Sequence, residues 1–421
     1  MTAYVPPVGS IPTLSVPSLD GIRSVHMIGI GGAGMRNLAR LLRADGITVS
    51  GSDLKDSKGL ADLRSMGAEV WVGHDASRVA IPDAVIISSA IGADNVELRD
   101  ARARGIEVWA RQQALAAIVA GSRSIAVSGT HGKTTTTSMI AVVLERAGLD
   151  PSYLIGGDLN ESGSGARAGR GDLFVFEADE SDGSFLLTHP HVGVVTNVDV
   201  DHVDFYPGGR AEIESAFGAF VTACEHVVAC GDDPGVRSVL DATGVSALTY
   251  GTGADNDLVV SVEVLGPEGA GGVVRDATGA PVRLRLRVDG EHNLLDAAAA
   301  IAAARLVGVD PATAADALSS FAGVHRRFEH RGSARGVDFF DDYGHTPAEM
   351  AVTIETARRR GPRRLIALVQ PHRYSRVQAL WRELGASVAG ADLVLVTDID
   401  GAAQTPIPGV TGRLVADGIT S

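Results

Sequence analysis

Residues 124–148, SIAVSGTHGKTTTTSMIAVVLERAG, run an apolar segment through a glycine-rich turn directly into a Thr-rich helical segment. A strand that turns through glycines into a helix is the geometry of a phosphate-binding α/β unit. The general loop is G-x-x-x-x-G-K-[ST]. Gly132-Lys133-Thr134 matches its end, while Gly129 stands two residues nearer than that pattern asks. The chemistry needs these residue types. Backbone amides curl around phosphate oxygens, Lys133 reaches the β/γ-phosphates, and the Thr134 hydroxyl can bind Mg²⁺. The plain alternative is a glycine turn capped by a Thr-rich helix start, and the strand–loop–helix context argues against it.

The surroundings extend this unit into an α/β chain. Before it, VHMIGI, ITVSGS, EVWVG, AVIISS and IEVWA read as strands, with NLARLLRAD and ADLRSMG as helices between them. Such alternation implies a parallel sheet with crossovers. After it, DLFVFEADE and HVGVVTNVD read as buried strands with polar ends. The alternation in VRLRLRVDG, between Gly251 and Asp289, predicts a small antiparallel sheet. Asn293 to Val309 is apolar but interrupted by Asp296 and Arg305, so it reads as a buried helix, not a membrane span. VDFFDDY, RLIALVQPH and ADLVLVTD open a third strand-bearing block. The expected division is an extension at 1–19 and domains at 20–118, 119–326 and 327–421.

Two further features sit at strand ends. Gly29, Gly31 and Gly34 match G-x-G-x-x-G after a strand and before a helix, with Asp53 about twenty residues on, within reach of ribose hydroxyls. By itself this fits NAD, a nucleotide-sugar pyrophosphate or a structural turn. Glu177, Asp179, Glu180 and Asp182 follow one apolar strand; Asn197, Asp199, Asp201 and His202 follow another. Carboxylates at strand ends beside a phosphate loop are where Mg²⁺ is held, and a histidine there can complete a second cation site or bond a phosphate.

Composition excludes more than it selects. The 421 residues carry a net charge of −14, which argues against a nucleic-acid partner. Cys224 and Cys230 lie in an apolar stretch and read as core thiols of a reducing compartment. The N-terminus lacks a basic region followed by an apolar one, so no signal peptide is expected and the location is expected to be cytoplasmic, with no membrane partner.

Together the motifs resemble the Mur ligase family. Its loop, G-T-x-G-K-[ST]-[ST], is matched by Gly129, Thr130, His131, Gly132, Lys133, Thr134 and Thr135. The resemblance is strongest to the alanine-adding branch. It runs through HMIGIGGAGM (26–35), SSAI (88–91), EADESDGSF (177–185), DVDHVDFY (199–206), His292-Asn293, RRFE (326–329), DDYGHTP (341–347) and QPHRYSR (370–376). It implies three domains: a Rossmann-like N-terminal domain, a P-loop ATPase-like central one and a shortened Rossmann-like C-terminal one. It also implies ATP-dependent joining of L-alanine to the carboxylate of UDP-N-acetylmuramate, through an acyl phosphate, in peptidoglycan precursor synthesis. Alternatives are a ligase that attaches a recycled peptide to the same sugar nucleotide, or a paralogue that binds nucleotide without turnover.

By the same resemblance, Gly29, Gly31, Gly32, Gly34, Asp53, His74 and Ser89 line the UDP-sugar site. His292, Asn293 and Arg327 join the phosphate loop at ATP. Thr134, Glu177 and His202 hold Mg²⁺ or Mn²⁺. Tyr343, His345, Arg373 and Arg376 surround the reacting carboxyl and the amine, with Lys133 and His202 also catalytic. Departures from the family pattern are Thr346 for a second His, Asp289 for Pro, Asp296 for Asn, and the loop at 398–404.

Overall fold

The computed structural model describes residues 15–419 apart from 89, 161–162, 182, 202–204, 277–279 and 403. The predicted site residues Ser89 and His202 lie outside the described residues.

The first unit is β1 (Ser24–Ile28), α1 (Ala33–Ala44), β2 (Thr48–Asp53), α2 (Lys58–Ser65), β3 (Glu69–Val72), β4 (Ala84–Ile87), α3 (Val96–Ala103), β5 (Glu107–Ala110) and α4 (Arg111–Val119). Its five strands are parallel in the order β3-β2-β1-β4-β5. The order reverses between β1 and β4, and the Gly29–Gly34 turn leaves β1 at that switch point, where α/β sheets open a ligand crevice.

The second unit opens with β6 (Arg123–Ser128), α5 (Lys133–Arg146), β7 (Ser152–Leu154), β8 (Ala166–Arg167), β9 (Leu173–Glu177), β10 (Val192–Val195), α6 (Arg210–Ala223), β11 (His226–Cys230) and α7 (Pro234–Thr243). It continues with β12 (Leu248–Gly251), β13 (Leu258–Gly266), β14 (Gly269–Asp276), β15 (Val282–Leu286), α8 (Glu291–Leu306) and α9 (Pro311–Leu318). β6 lies between β10 and β9, parallel to both, in one ten-stranded sheet. The antiparallel strands predicted from the alternation at 251–289 are present as β13–β15. They do not form a separate sheet, because β13 pairs in parallel with β12 and extends the same one. In β15 Arg283 and Arg285 face outward while Leu284 and Leu286 are buried, which is the alternation seen in the sequence. The predicted buried helix is α8. Residues 297–304 are all buried, and all but Ile301 are alanines, whose small side chains let α8 lie close against α5 and the sheet.

The third unit holds β16 (Glu329–Ala334), β17 (Val337–Asp341), α10 (Pro347–Arg359), β18 (Ile366–Val369), α11 (Tyr374–Ser387), β19 (Leu393–Val396) and α12 (Gly412–Ile419). The strand predicted from VDFFDDY is β17, and it pairs antiparallel with β16 instead of joining the parallel pair β18–β19. The reason is local. Arg335 and Gly336, between them, have φ of 52° and 76°, and two consecutive positive φ values make the tight turn that matches strand twist in a hairpin. One face of β18–β19 packs on the helices. The other presents Ile366, Leu368, Leu393 and Leu395, with Leu368 71% exposed.

The first unit carries a buried polar network. Glu97 accepts from Asp75 N–H at 2.9 Å and from the Ser52 hydroxyl, with His26 Nε2 at 3.4 Å. Burial opposes its charge, but the hydrogen bonds from His26, Ser52 and Asp75 prevail and lower its pKa from 4.5 to about 2. A carboxyl with a depressed folded pKa stabilises above its unfolded value, and that contribution fades as pH falls toward the folded one. Between about pH 4.5 and pH 2 the wild type should therefore lose this contribution, while Glu97→Gln should not. Thermal melts of the two across that range check it; parallel slopes would contradict the assignment.

Candidate functional site

The strand–loop–helix of the sequence is β6, residues 129–132 and α5. Gly132 caps α5 with φ of 82°, and the first turn of a helix leaves its N–H groups without intrahelical acceptors, ready for an anion. Gly129 has φ of 139°, and a Cβ there would stand 2.0 Å from Thr196 Oγ1. Only glycine lets the loop pass so close to the end of β10. Asn197 braces the loop from that strand. Its side-chain oxygen accepts from His131 N–H at 2.8 Å and its amide donates to His131 O at 2.9 Å.

Lys133 lies folded over the loop. Its Nζ donates to Gly129 O at 2.5 Å and to Glu180 at 2.9 Å. Burial works against its charge, but Glu180 and Asp179 outweigh that and raise its pKa, so the ammonium stays charged. Burial pushes Glu180 upward in turn.

Glu177, at the end of β9, shows the signature of a cation site. Its Oε1 is buried with no hydrogen-bond partner among the described residues. Burial raises its pKa, opposed chiefly by a hydrogen bond with the Thr134 side chain. A buried carboxylate oxygen beside a Thr hydroxyl fits a hard divalent cation, which takes oxygen ligands. Asp296 of α8 is also buried. It accepts from the Thr136 hydroxyl at 3.0 Å and is pushed up to about 7 by burial.

A cavity of about 680 Å³ opens from the loop between the second and third units. His131, Gly132, Thr134 and Thr135 line one end. His292, Asn293 and Asp296 line a wall, and Arg327, Phe328, Phe340 and Glu349 close the far side. Asn293 donates to Asp289 O at 2.7 Å and pairs with His292 at 3.1 Å. Burial lowers the His292 pKa and so favours a neutral ring. Phe328 and Phe340 stack at 4.6 Å.

The third unit brings its predicted residues to the same place. His345 stacks edge-on against Tyr343 and His372 at 5.2 and 5.3 Å, and its Nδ1 is 2.9 Å from Tyr343 O. Burial lowers its pKa, keeping the imidazole neutral near pH 7. Arg376 reaches back to Asp201, with Nη2 at 3.3 and 3.1 Å from the two carboxylate oxygens. Arg373 caps the N-terminus of α11 with φ of 67°, and its N–H donates to Asp400 O at 2.8 Å.

The first unit's predicted residues gather separately. Asp53 accepts from Gly31 N–H at 2.9 Å, so its carboxylate rests on the glycine turn itself. His74 bonds Ser52 at 2.8 Å. A Cβ at Gly34 would stand 3.1 Å from Arg111, whose guanidinium is 3.9 Å from Asp179. The two clusters are thus joined through Arg111.

Arg111 and Glu349 were not singled out in the sequence, and Asn197 was read there only as part of a polar strand end, not as the brace of the loop. Glu349 lies 3.4 Å from His131, 3.7 Å from Arg327 and 3.8 Å from His345. Despite burial, the bond from His131 and the charge of His345 hold its carboxyl well below the usual range. A signal for it existed. Thr346-Pro347-Ala348-Glu349 is a capping box with Pro at the first helical position, and Thr346 Oγ1 and Glu349 bond reciprocally. Arg111 had no such signal.

Known proteins match this arrangement along the chain. The family model for the Mur ligase family, catalytic domain, matches residues 24–123; the Mur ligase middle domain matches 127–304; the Mur ligase, glutamate ligase domain matches 326–420. A UDP-N-acetylmuramate--L-alanine ligase of Mycobacterium sp. (strain JLS) is 45% identical over 96% of this chain and 87% of its own. One of Nitratidesulfovibrio vulgaris (strain DP4) is 44% identical over 94% and 88%. The crystal structure of UDP-N-acetylmuramate-alanine ligase MurC from Thermotoga maritima superposes with a TM-score of 0.80 at 29% identity, over 94% of this chain and 88% of that one. A murein peptide ligase from Psychrobacter arcticus gives 0.73 at 25%, over 95% and 88%. With three domain models matched in order and relatives this similar over nearly its whole length, the chain belongs to the Mur ligase family.

Proposed function

We propose that this chain uses ATP to join L-alanine to the carboxylate of UDP-N-acetylmuramate. The observation that carries the reading is the phosphate loop, with Lys133 over it, opening into a cavity closed by Arg327 and Glu349 of the third unit, with His345 beside Glu349 at 3.8 Å. The near-full-length similarity to alanine-adding relatives supports the choice of substrates.

A carboxylate is a poor electrophile, and transfer of the γ-phosphoryl group converts it into an acyl phosphate with a good leaving group. The α5 amides and Lys133 bind the phosphate chain and neutralise charge on the transferring oxygens. Thr134 and Glu177, with His202, would hold a divalent cation, Mg²⁺ or Mn²⁺, which adds positive charge beside the β/γ-phosphates. His292 and Asn293 lie toward the nucleoside end. Arg373 orients a substrate carboxylate, and Arg376, paired with Asp201, holds the third unit in place beside the reacting groups. As the amine attacks, it must lose a proton, and a neutral His345 can take it. The Gly29–Gly34 turn, with Asp53, His74 and Ser89, receives the UDP end, and Arg111 links that site to the phosphate loop.

Phosphate release from ATP tests the reading. With UDP-N-acetylmuramate present, release should depend on L-alanine. Release that requires a peptide instead would move the chain to the peptide-attaching branch. No release with either, despite ATP binding, would mean that it binds without turnover.

A further inference from the structure

The ten-stranded sheet carries a second chemically distinctive cluster at the N-terminal ends of two central strands, β10 and β11, at the opposite end from the phosphate loop. His191 directly precedes β10, and Glu225 and His226 lie at the start of the adjacent parallel strand β11. The ladder locks the three together: His226 N–H donates to His191 O at 3.0 Å and Glu225 N–H to Pro190 O at 3.1 Å. His191 Nδ1 is 2.7 Å from Glu225 Oε2, and His226 Nε2 is 4.0 Å from Glu225 Oε1. The imidazoles meet edge to face, 5.1 Å apart at 84°. All three potential ligand atoms lie within 4.8 Å of one another.

We propose that His191, Glu225 and His226 form a zinc-class metal site at these strand ends, separate from the nucleotide cavity. Two imidazoles and a carboxylate are a ligand set of zinc sites that keep an open position. With bonds near 2.0–2.2 Å, tetrahedral ligand atoms stand roughly 3.3 Å apart. The present separations bracket that value, so rotation about side-chain bonds on a fixed backbone is enough to close the set. An ordinary surface ion pair would need only His191 and Glu225; it gives no reason for a second imidazole edge-on to the first. Arg123, whose charge also acts on Glu225, is paired with Asp172 at 3.5 Å. Imidazole donors favour Zn²⁺ over Mg²⁺, so a cation accompanying ATP would not fill the site. It lies about one strand length, roughly 15 Å, from the phosphate loop. A metal here ties the first residues of β10 and β11 together and stabilises the sheet without touching the reaction.

The test uses the full chain, stripped with chelator and supplied with Mg²⁺ and ADP so that the phosphate loop is filled. Zn²⁺ titration by calorimetry, repeated with Co²⁺ to read the visible absorption of a tetrahedral site, should give a single equivalent and a raised melting temperature. His191→Ala and His226→Ala should each weaken binding by about 100-fold or more, beyond the ~10–100-fold lost with an outer hydrogen-bond partner. Both variants should melt like the metal-free wild type, which shows that they fold. The site is refuted if wild type takes up no Zn²⁺ at micromolar concentration. It is equally refuted if the His191→Ala/His226→Ala double variant binds as wild type does.

Discussion

Replacing Lys133 with alanine is expected to lower alanine-dependent phosphate release by about 100- to 1000-fold, the scale of losing one charge-stabilising group at a reacting centre. The ammonium sits over the loop, bonded to Gly129 O and Glu180. In the reading given above, the arriving triphosphate replaces those partners with phosphate oxygens. UDP-sugar affinity should change little, because the Gly29–Gly34 turn belongs to another sheet. Steady-state phosphate release and calorimetric titration of the UDP-sugar check both halves. A variant that keeps the wild-type rate would show that the loop has been misassigned. The fold itself should survive, since Lys133 lies at the start of α5 and the buried residues of that helix begin at Thr134.

The second large effect concerns Arg376. Its side chain is 5% exposed and that of its partner Asp201 13%, and the pair ties α11 to the segment after β10. Removing one member of a buried pair leaves the other charge without compensation, at about 3 kcal/mol or more. Arg376→Met should therefore weaken docking of the third unit on the second and reduce kcat/KM by roughly 100-fold, since about 1.4 kcal/mol is one decade. Asp201→Asn should also reduce it. The double variant should be less impaired than the product of the two singles, because contacting charges couple. Strict additivity in that cycle would show that the pair does not hold the two units together.

Much of the fold was legible because its signals are local. The phosphate loop was readable where strand, glycines and helix succeed one another within a dozen residues. The parallel sheets followed from strand–helix alternation. β17 was legible as a strand but its partner was not, because the pairing with β16 rests on two positive φ values at Arg335 and Gly336 that strand alternation does not reveal. Likewise, the β13–β15 alternation identified the strands but could not show that β12 and β13 join them to the larger sheet.

The site divides along the same line. Lys133, Thr134 and Glu177 belong to motifs a few residues long, and their chemistry could be inferred from spacing and strand ends. Asn197 at His131, Arg111 between the glycine turn and Asp179, and Glu349 among His131, Arg327 and His345 join residues from separate parts of the chain. The amino-acid order determined which segments become strands, helices and anion-binding turns, because backbone sterics and hydrophobic period act over a few residues. Only the tertiary structure decided which charges meet, how far burial shifts them, and that the third unit closes over the phosphate loop. Those outcomes depend on distance and desolvation between groups that lie far apart in sequence.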